Sequence, residues 1–433
     1  MFGFKSFSES FLISRFRLIS KEVNVVQDIL VNASLPILYL SYIAGLLLVG
    51  IGVSLISKKI KIPNILFLLL VGILLGHLKY KGGALMSFPP VFLSSIGIIA
   101  LVMIVFDVSA SFKVKEFNKL GWQVLKLSSV FFVLTFIFVS SAAKLMFEIN
   151  WWHAFLFGSL MAGTDPGAIL TMYGHVKNKI LEIVEIESII NTPLTVLFPF
   201  MILELSYKVG NVTLSKFDII FSQFKPFIVL FVVGVGTGVL MGLIGSRIMK
   251  RYYSESMSPL ALITLALLTY ILSENLGGSG VLAVTIMGLF YGNLYIIEKI
   301  KLFRFSEVFA NALEILVFIL IGLIIKFPLT MVFLVNSLLL FGFYLVIRYV
   351  SINIAFRKDK LLFRQKLFMT LNVQKGIAVA VVAFFLSTVS ELTTVLNITL
   401  AFMLYSIVLS TIALFFTKKL LRVDVEKQIE KTH

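Results

Sequence analysis

Thirteen apolar runs follow one another along the chain, near 35–57, 62–78, 91–109, 121–146, 153–173, 180–205, 226–246, 256–272, 278–297, 309–327, 330–347, 367–386 and 395–417. Each approaches the roughly 20 residues that a helix needs to cross a bilayer core. The connections between them are short and hold most of the Lys and Arg. The pattern predicts an all-α polytopic membrane protein with about 13 transmembrane helices. Several runs are interrupted by Gly, Pro or a single charge. Hydrocarbon tolerates such backbone only where it faces protein or a watery cavity. Interruptions in both halves of the chain suggest inverted repeats with discontinuous helices.

The two ends read differently. Residues 1–34 interleave Lys5, Arg15, Arg17 and Lys21 with Phe, Leu and Ile. They lack the clean apolar core and small-residue cleavage site of a signal peptide. An interfacial amphipathic helix fits this arm, with a disordered segment as the alternative. Residues 35–417 form the transmembrane domain, and 418–433 read as a short charged tail with no soluble regulatory domain after it.

Composition narrows the class. Of 433 residues, 59% are hydrophobic and 14% are charged, against about 25% charged in a soluble domain. A soluble enzyme, a nucleic-acid binder and a disordered regulator are therefore excluded. The chain has no Cys and only 4 His, which leaves no thiol chemistry and no evident ligand cluster for a resident metal. No cofactor is expected. The net charge of +16 fits cytoplasmic loops held against anionic lipid. Twenty Lys and Arg fall in the odd-numbered loops, Arg348 among them, and six in the even-numbered ones. The positive-inside rule then sets a cytoplasmic C-terminus and, with thirteen spans, an outside N-terminus in the cell membrane.

A few acidic side chains lie within the spans: Asp107, Asp165, Glu187, Glu204, Glu274 and Glu314. Such groups are costly in a membrane and mark function or a structural pair. Asp107, Glu204, Glu274 and Glu314 lie near span ends and read as interfacial or structural. Asp165 lies in Gly163-Thr164-Asp165-Pro166-Gly167, inside an apolar run. Pro166 turns Asp165 away from helical backbone, so this segment reads as a helix broken in mid-membrane. Bare carbonyls beside the carboxylate can hold a dehydrated cation, and bare amides offset its charge. A proline kink capped by the Asp is the structural alternative. In the next run Glu187 and Asn191 are four residues apart on one helical face, with Ser188 and Thr192 on the adjacent stripe. That seam suits an ion site or, alternatively, polar glue between helices. Lys375, in Gln374-Lys375-Gly376, is either the last positive-inside residue or a buried partner for Glu187.

These residues resemble the monovalent cation:proton antiporters, sodium/proton exchanger branch. The match rests on Thr164-Asp165-Pro166 followed by Glu187-Ser188-Ile-Ile-Asn191, on Pro63 with Gly72 and Gly76, on Ser279-Gly280 through Gly288, Gly292 and Asn293, and on Lys375-Gly376 where the family has Arg-Gly. It runs from about residue 35 to 417. The resemblance implies interleaved dimerisation and core subdomains, crossing unwound helices, a homodimer, and exchange of Na⁺, Li⁺ or K⁺ for H⁺. It implies transient alkali-cation contacts from Thr164, Asp165 and Ser188, a brace at Asn191, and a structural ion pair between Glu187 and Lys375. One position departs: the family's ion-binding Asp falls on Thr192. The mechanism this suggests is competition of cation and proton at Asp165, with alternating access and one proton per cation. The alternatives are a K⁺-selective or otherwise altered cation transporter and a transport-inactive membrane scaffold or sensor.

Overall fold

The computed structural model describes residues 37–421, apart from 61–63, 81–82, 85, 87, 112–118, 166–168, 170–172, 174–175, 177, 210–215, 255–256, 294–298, 325–327, 329, 360 and 388. The arm 1–34 and the tail from 422 lie outside the described residues. The chain divides into two units, Met1–Ile51 and Gly52–His433. The first is described only from residue 37, as the start of helix α1, Ile37–Ile60. Ile37, Leu40 and Leu48 are exposed on it, as on a helix clothed by lipid.

Among the described residues the regular structure is helical apart from one antiparallel pair of two-residue strands, Lys79–Tyr80 with Gly83–Ala84. In chain order the helices are α2 (Asn64–His77), α3 (Pro90–Ser111), α4 (Lys119–Leu134), α5 (Ser140–Phe147), α6 (Trp151–Met161), α7 (Lys179–Val209), α8 (Lys216–Arg251) and α9 (Met257–Asn275). They continue as α10 (Gly280–Asn293), α11 (Lys299–Ile324), α12 (Met331–Ala355), α13 (Phe363–Leu371), α14 (Ile377–Leu386), α15 (Thr393–Phe415) and α16 (Thr417–Leu421). A π-turn, Thr135–Val139, joins α4 to α5.

Among the described residues, eight helices are long and apolar enough to cross a membrane, and three more are apolar but shorter. The thirteen apolar runs therefore sort into these eleven and two that are broken, near 153–173 and 367–386. An apolar run records burial in a nonpolar medium, not continuous helix. Gly, Pro and Asp within a run interrupt the helix without lowering its hydropathy much.

Local chemistry sets the helix ends. Asn150 accepts the His153 N–H at 2.8 Å and caps α6. Asn178 accepts the Ile180 N–H at 2.8 Å at the start of α7. Between α9 and α10 the chain turns through Gly277, whose φ of +78° only glycine adopts without strain. Glu274 then accepts the Gly280 N–H at 2.8 Å and caps α10, a structural role as its position near a span end suggested. The side chain of Glu204 lies outside what is described.

Packing gathers α4, α6, α7 and α12 in one set of contacts and α2, α3, α10 and α11 in another, with α14 touching α3, α7 and α11. Backbones of α2 and α11 meet at Gly72 and Gly322. A methyl group on either would overlap the backbone of the other helix. This contact fixes α11 laterally.

Candidate functional site

Two interruptions build the site. The helix α6 ends at Met161, and residues 163–165 are no longer helical. Pro166 and Gly167 lie outside the described residues. Further along, α13 stops at Leu371, residues 372–376 are non-helical, and Gly376 is the N-cap of α14. The two stretches cross in contact. The Asp165 N–H donates to the Gln374 carbonyl at 2.8 Å. A Cβ on Gly376 would overlap the Asp165 carboxylate, so only glycine lets the side chain lie there. Asp165 thus rests at the N-terminus of α14, where unpaired amides and the helix dipole favour negative charge.

Lys375 is fully buried at this crossing. Its Nζ donates to the carbonyls of Met161 at 2.6 Å and Gly163 at 2.7 Å, and to the Tyr344 hydroxyl at 2.7 Å. An ammonium has three donors, and all three are engaged. The first two acceptors lie at and just past the end of α6, where a helix leaves carbonyls without intrahelical donors. The sequence led us to expect those carbonyls to face a transported cation; Lys375 takes two of them instead.

Glu187 has a different partner from the one expected. The pairing with Lys375 is overturned: Arg348 of α12 donates to both Glu187 carboxylate oxygens, Nη2 to Oε2 at 2.7 Å and Nη1 to Oε1. Both residues are fully buried. The planar guanidinium fork matches a carboxylate in a way a single ammonium cannot. The Phe131 ring of α4 covers the guanidinium at 4.6 Å. Arg348 therefore does not belong among the loop cations. Tyr344 and Arg348, four apart on one face of α12, hold Lys375 and Glu187 respectively.

The remaining residues of the seam are distributed around the break. Thr164 and Asn191 are buried, and Asn191 Nδ2 donates to Thr164 Oγ1 at 3.4 Å. Ser188 and Thr192 are half-buried on α7. The Thr192 hydroxyl donates to the Ser188 carbonyl at 2.8 Å. Its proton is thereby committed to the backbone, while its oxygen keeps lone-pair capacity. Asp165 is also half-buried.

Two acidic residues read as interfacial prove to have acidic neighbours. Glu314 of α11 lies in electrostatic range of Asp165. Asp107 of α3 is half-buried and lies in range of Glu307 of α11. Sequence reasoning read Arg348 as a loop cation and Glu314 as interfacial or structural, and connected neither to Glu187 or Asp165. The signal for Arg348 was a polar stripe, Ser337, Tyr344, Arg348 and Ser351, which continues at helical spacing past residue 347.

Comparison with known proteins follows this geometry. Residues 43–419 match the family described as sodium/hydrogen exchanger, transmembrane. The K(+)/H(+) antiporter NhaP of Alkalimonas amylolytica is 27% identical over 288 residues, covering 65% of this chain and 49% of the relative. The Na(+)/H(+) antiporter 1 of Methanocaldococcus jannaschii is 25% identical over 368 residues, covering 79% of this chain and 82% of the relative. The chain spans about half the length of several curated relatives it matches, the Alkalimonas protein among them. The fold is similar to the structure of the sodium proton antiporter MjNhaP1 from Methanocaldococcus jannaschii. That similarity has a TM-score of 0.73 at 21% identity and covers 88% of this chain and 97% of the other.

Proposed function

The chain belongs to the sodium/hydrogen exchanger family, and from that premise we propose that it exchanges a monovalent cation, Na⁺, Li⁺ or K⁺, for protons across the membrane. The observation that carries this reading is the placement of Asp165. It is a half-buried carboxylate at the crossing of two broken helices, against the N-terminus of α14. Glu187, Arg348 and Lys375, the charges on the neighbouring helices, are engaged in structural contacts. A cation binds when Asp165 has lost its proton, and protonation expels it. Thr164, Ser188 and Thr192 supply neutral oxygens that suit a weakly held alkali ion, and Asn191 braces Thr164. No bond is made or broken, so this is transport rather than enzymatic catalysis.

The experiment is direct. Everted vesicles carrying the protein should release a pH-dye quench on addition of Na⁺, Li⁺ or K⁺. Silence with all three ions would end this reading. A K⁺-preferring exchanger is the second reading. It is favoured by Thr192, which weakens the pull on a small, strongly hydrated ion.

The finer architecture is also proposed. The two broken runs complete thirteen crossings, arranged as inverted repeats, with the site carried between faces by a core domain moving against a dimerisation domain. The N-terminus lies outside and the C-terminus in the cytoplasm. Charge supports this, since removing Arg348 from the loops leaves the odd-numbered loops far more basic than the even ones. The protein is a homodimer by family resemblance. The absence of native Cys allows clean single-cysteine work. Lys358→Cys should be labelled from the inside alone, and native-lipid mass of the same preparation should be that of two chains. Labelling from outside in intact cells would reverse the topology, and a mass of one chain would remove the dimer.

A further inference from the structure

Thr192 brings a hydroxyl rather than a carboxylate to the α7 side of the site. A second carboxylate, on a different helix, lies in electrostatic range of Asp165. Glu314 lies on α11 and is half-buried; of its neighbours along the same stripe Ala310, Val317, Phe318 and Ile321 are buried, while Asn311 and Glu307 toward the start of the helix are exposed. Residues three, four and seven positions away share a helical face. Glu314 therefore stands where the exposed start of α11 passes into its buried stretch, partly covered by the bundle. The same helix is in close backbone contact with α2 at Gly72 and Gly322. The helix α11 packs on α14, whose N-cap Gly376 abuts the Asp165 carboxylate. The two carboxylates lie in electrostatic range of one another.

We propose that Glu314 is a second carboxylate of the cation/proton site, supplying from α11 the negative charge that Thr192 does not supply from α7. The proposal rests on the exchange reading above. Two close carboxylates disfavour each other's ionisation when the site is empty and relieve that cost when a cation lies between them. Asp107 and Glu307 do not share this role. Glu307 lies two turns, about 10 Å, away along α11, and its acidic neighbour is Asp107.

The test compares wild type, D165N, E314Q, E307Q, T192D and the double variant E314Q/T192D in everted vesicles at one pH with Na⁺, Li⁺ and K⁺ in turn. E314Q should raise the half-saturating cation concentration at least about tenfold, the scale of losing one charged partner at a buried contact. E307Q, the same charge change on the same helix, should stay within about twofold of wild type. The double variant should recover most of the loss, because T192D returns a carboxylate from the other side. A wild-type cation dependence in E314Q overturns Glu314 as a ligand, while the exchange reading survives if D165N is silent. Cation-dependent thermal stabilisation of the purified variants provides a reading without flux. Stabilisation lost in E314Q and regained in the double variant supports the proposal. Equal stabilisation in wild type and E314Q, or none in wild type with any of the three ions, overturns it.

Discussion

Asparagine at position 165 is expected to bring cation-driven proton movement down to the background of vesicles that lack the protein. D165N keeps the shape of the side chain and leaves the backbone N–H donating to Gln374. It removes the capacity to alternate between a proton and a cation. Insertion and folding should persist, because the crossing is held by backbone groups and by Lys375 rather than by the carboxylate alone. Monodisperse elution with silent flux is the expected pair of results. Full coupled exchange by D165N would end the mechanism in which Asp165 carries the competing ions.

The second large effect concerns stability. E187Q or R348M alone should cost about 3–5 kcal/mol, because each strands a fully buried charge. The double variant E187Q/R348M should recover much of that loss, so that its cost falls well below the sum of the two single costs in a double-mutant cycle. Thermal unfolding followed by size-exclusion chromatography measures all three. K375M should also destabilise, but E187Q should not rescue it, since Lys375 spends its donors on two backbone carbonyls and Tyr344. Wild-type stability in both single variants would mean that Glu187 and Arg348 are solvated and not paired. Rescue of K375M by E187Q would restore the pairing that sequence alone suggested.

The contrast between these two pairings shows what sequence could carry. The first break was legible because it is written locally: Asp165-Pro166 between glycines forbids regular helix. The second was not, since Lys375-Gly376 is compatible with helix and only the family resemblance implied a late unwound segment. The polar seam from Glu187 to Thr192 was legible, like the first break, since helical spacing alone puts those residues together. The partner of Glu187 was not legible. Arg348 stands one residue beyond an apolar run and just ahead of a basic segment, where it reads as another loop cation. Only the continuation of α12 to Ala355 buries it. Lys375 misled for another reason: its partners are mainly carbonyl oxygens, which every residue possesses and no sequence pattern distinguishes. Glu314 belongs with Arg348. Its meaning depends on which face of α11 meets α14, and packing decides that.

The crossing has a mechanical side. Three hydrogen bonds span it, from the Asp165 amide to Gln374 and from Lys375 to Met161 and Gly163. They act as a cross-brace between stretches some two hundred residues apart in sequence. Pulling one interruption away from the other would break all three. The two from the Lys375 ammonium are worth about 1.5–3 kcal/mol each and the neutral backbone bond about 0.5–1.5 kcal/mol. The brace therefore stiffens the place where a broken helix would otherwise bend most easily. A displacement of the ion site must carry both interruptions as one body, and the bending falls to joints elsewhere in the chain.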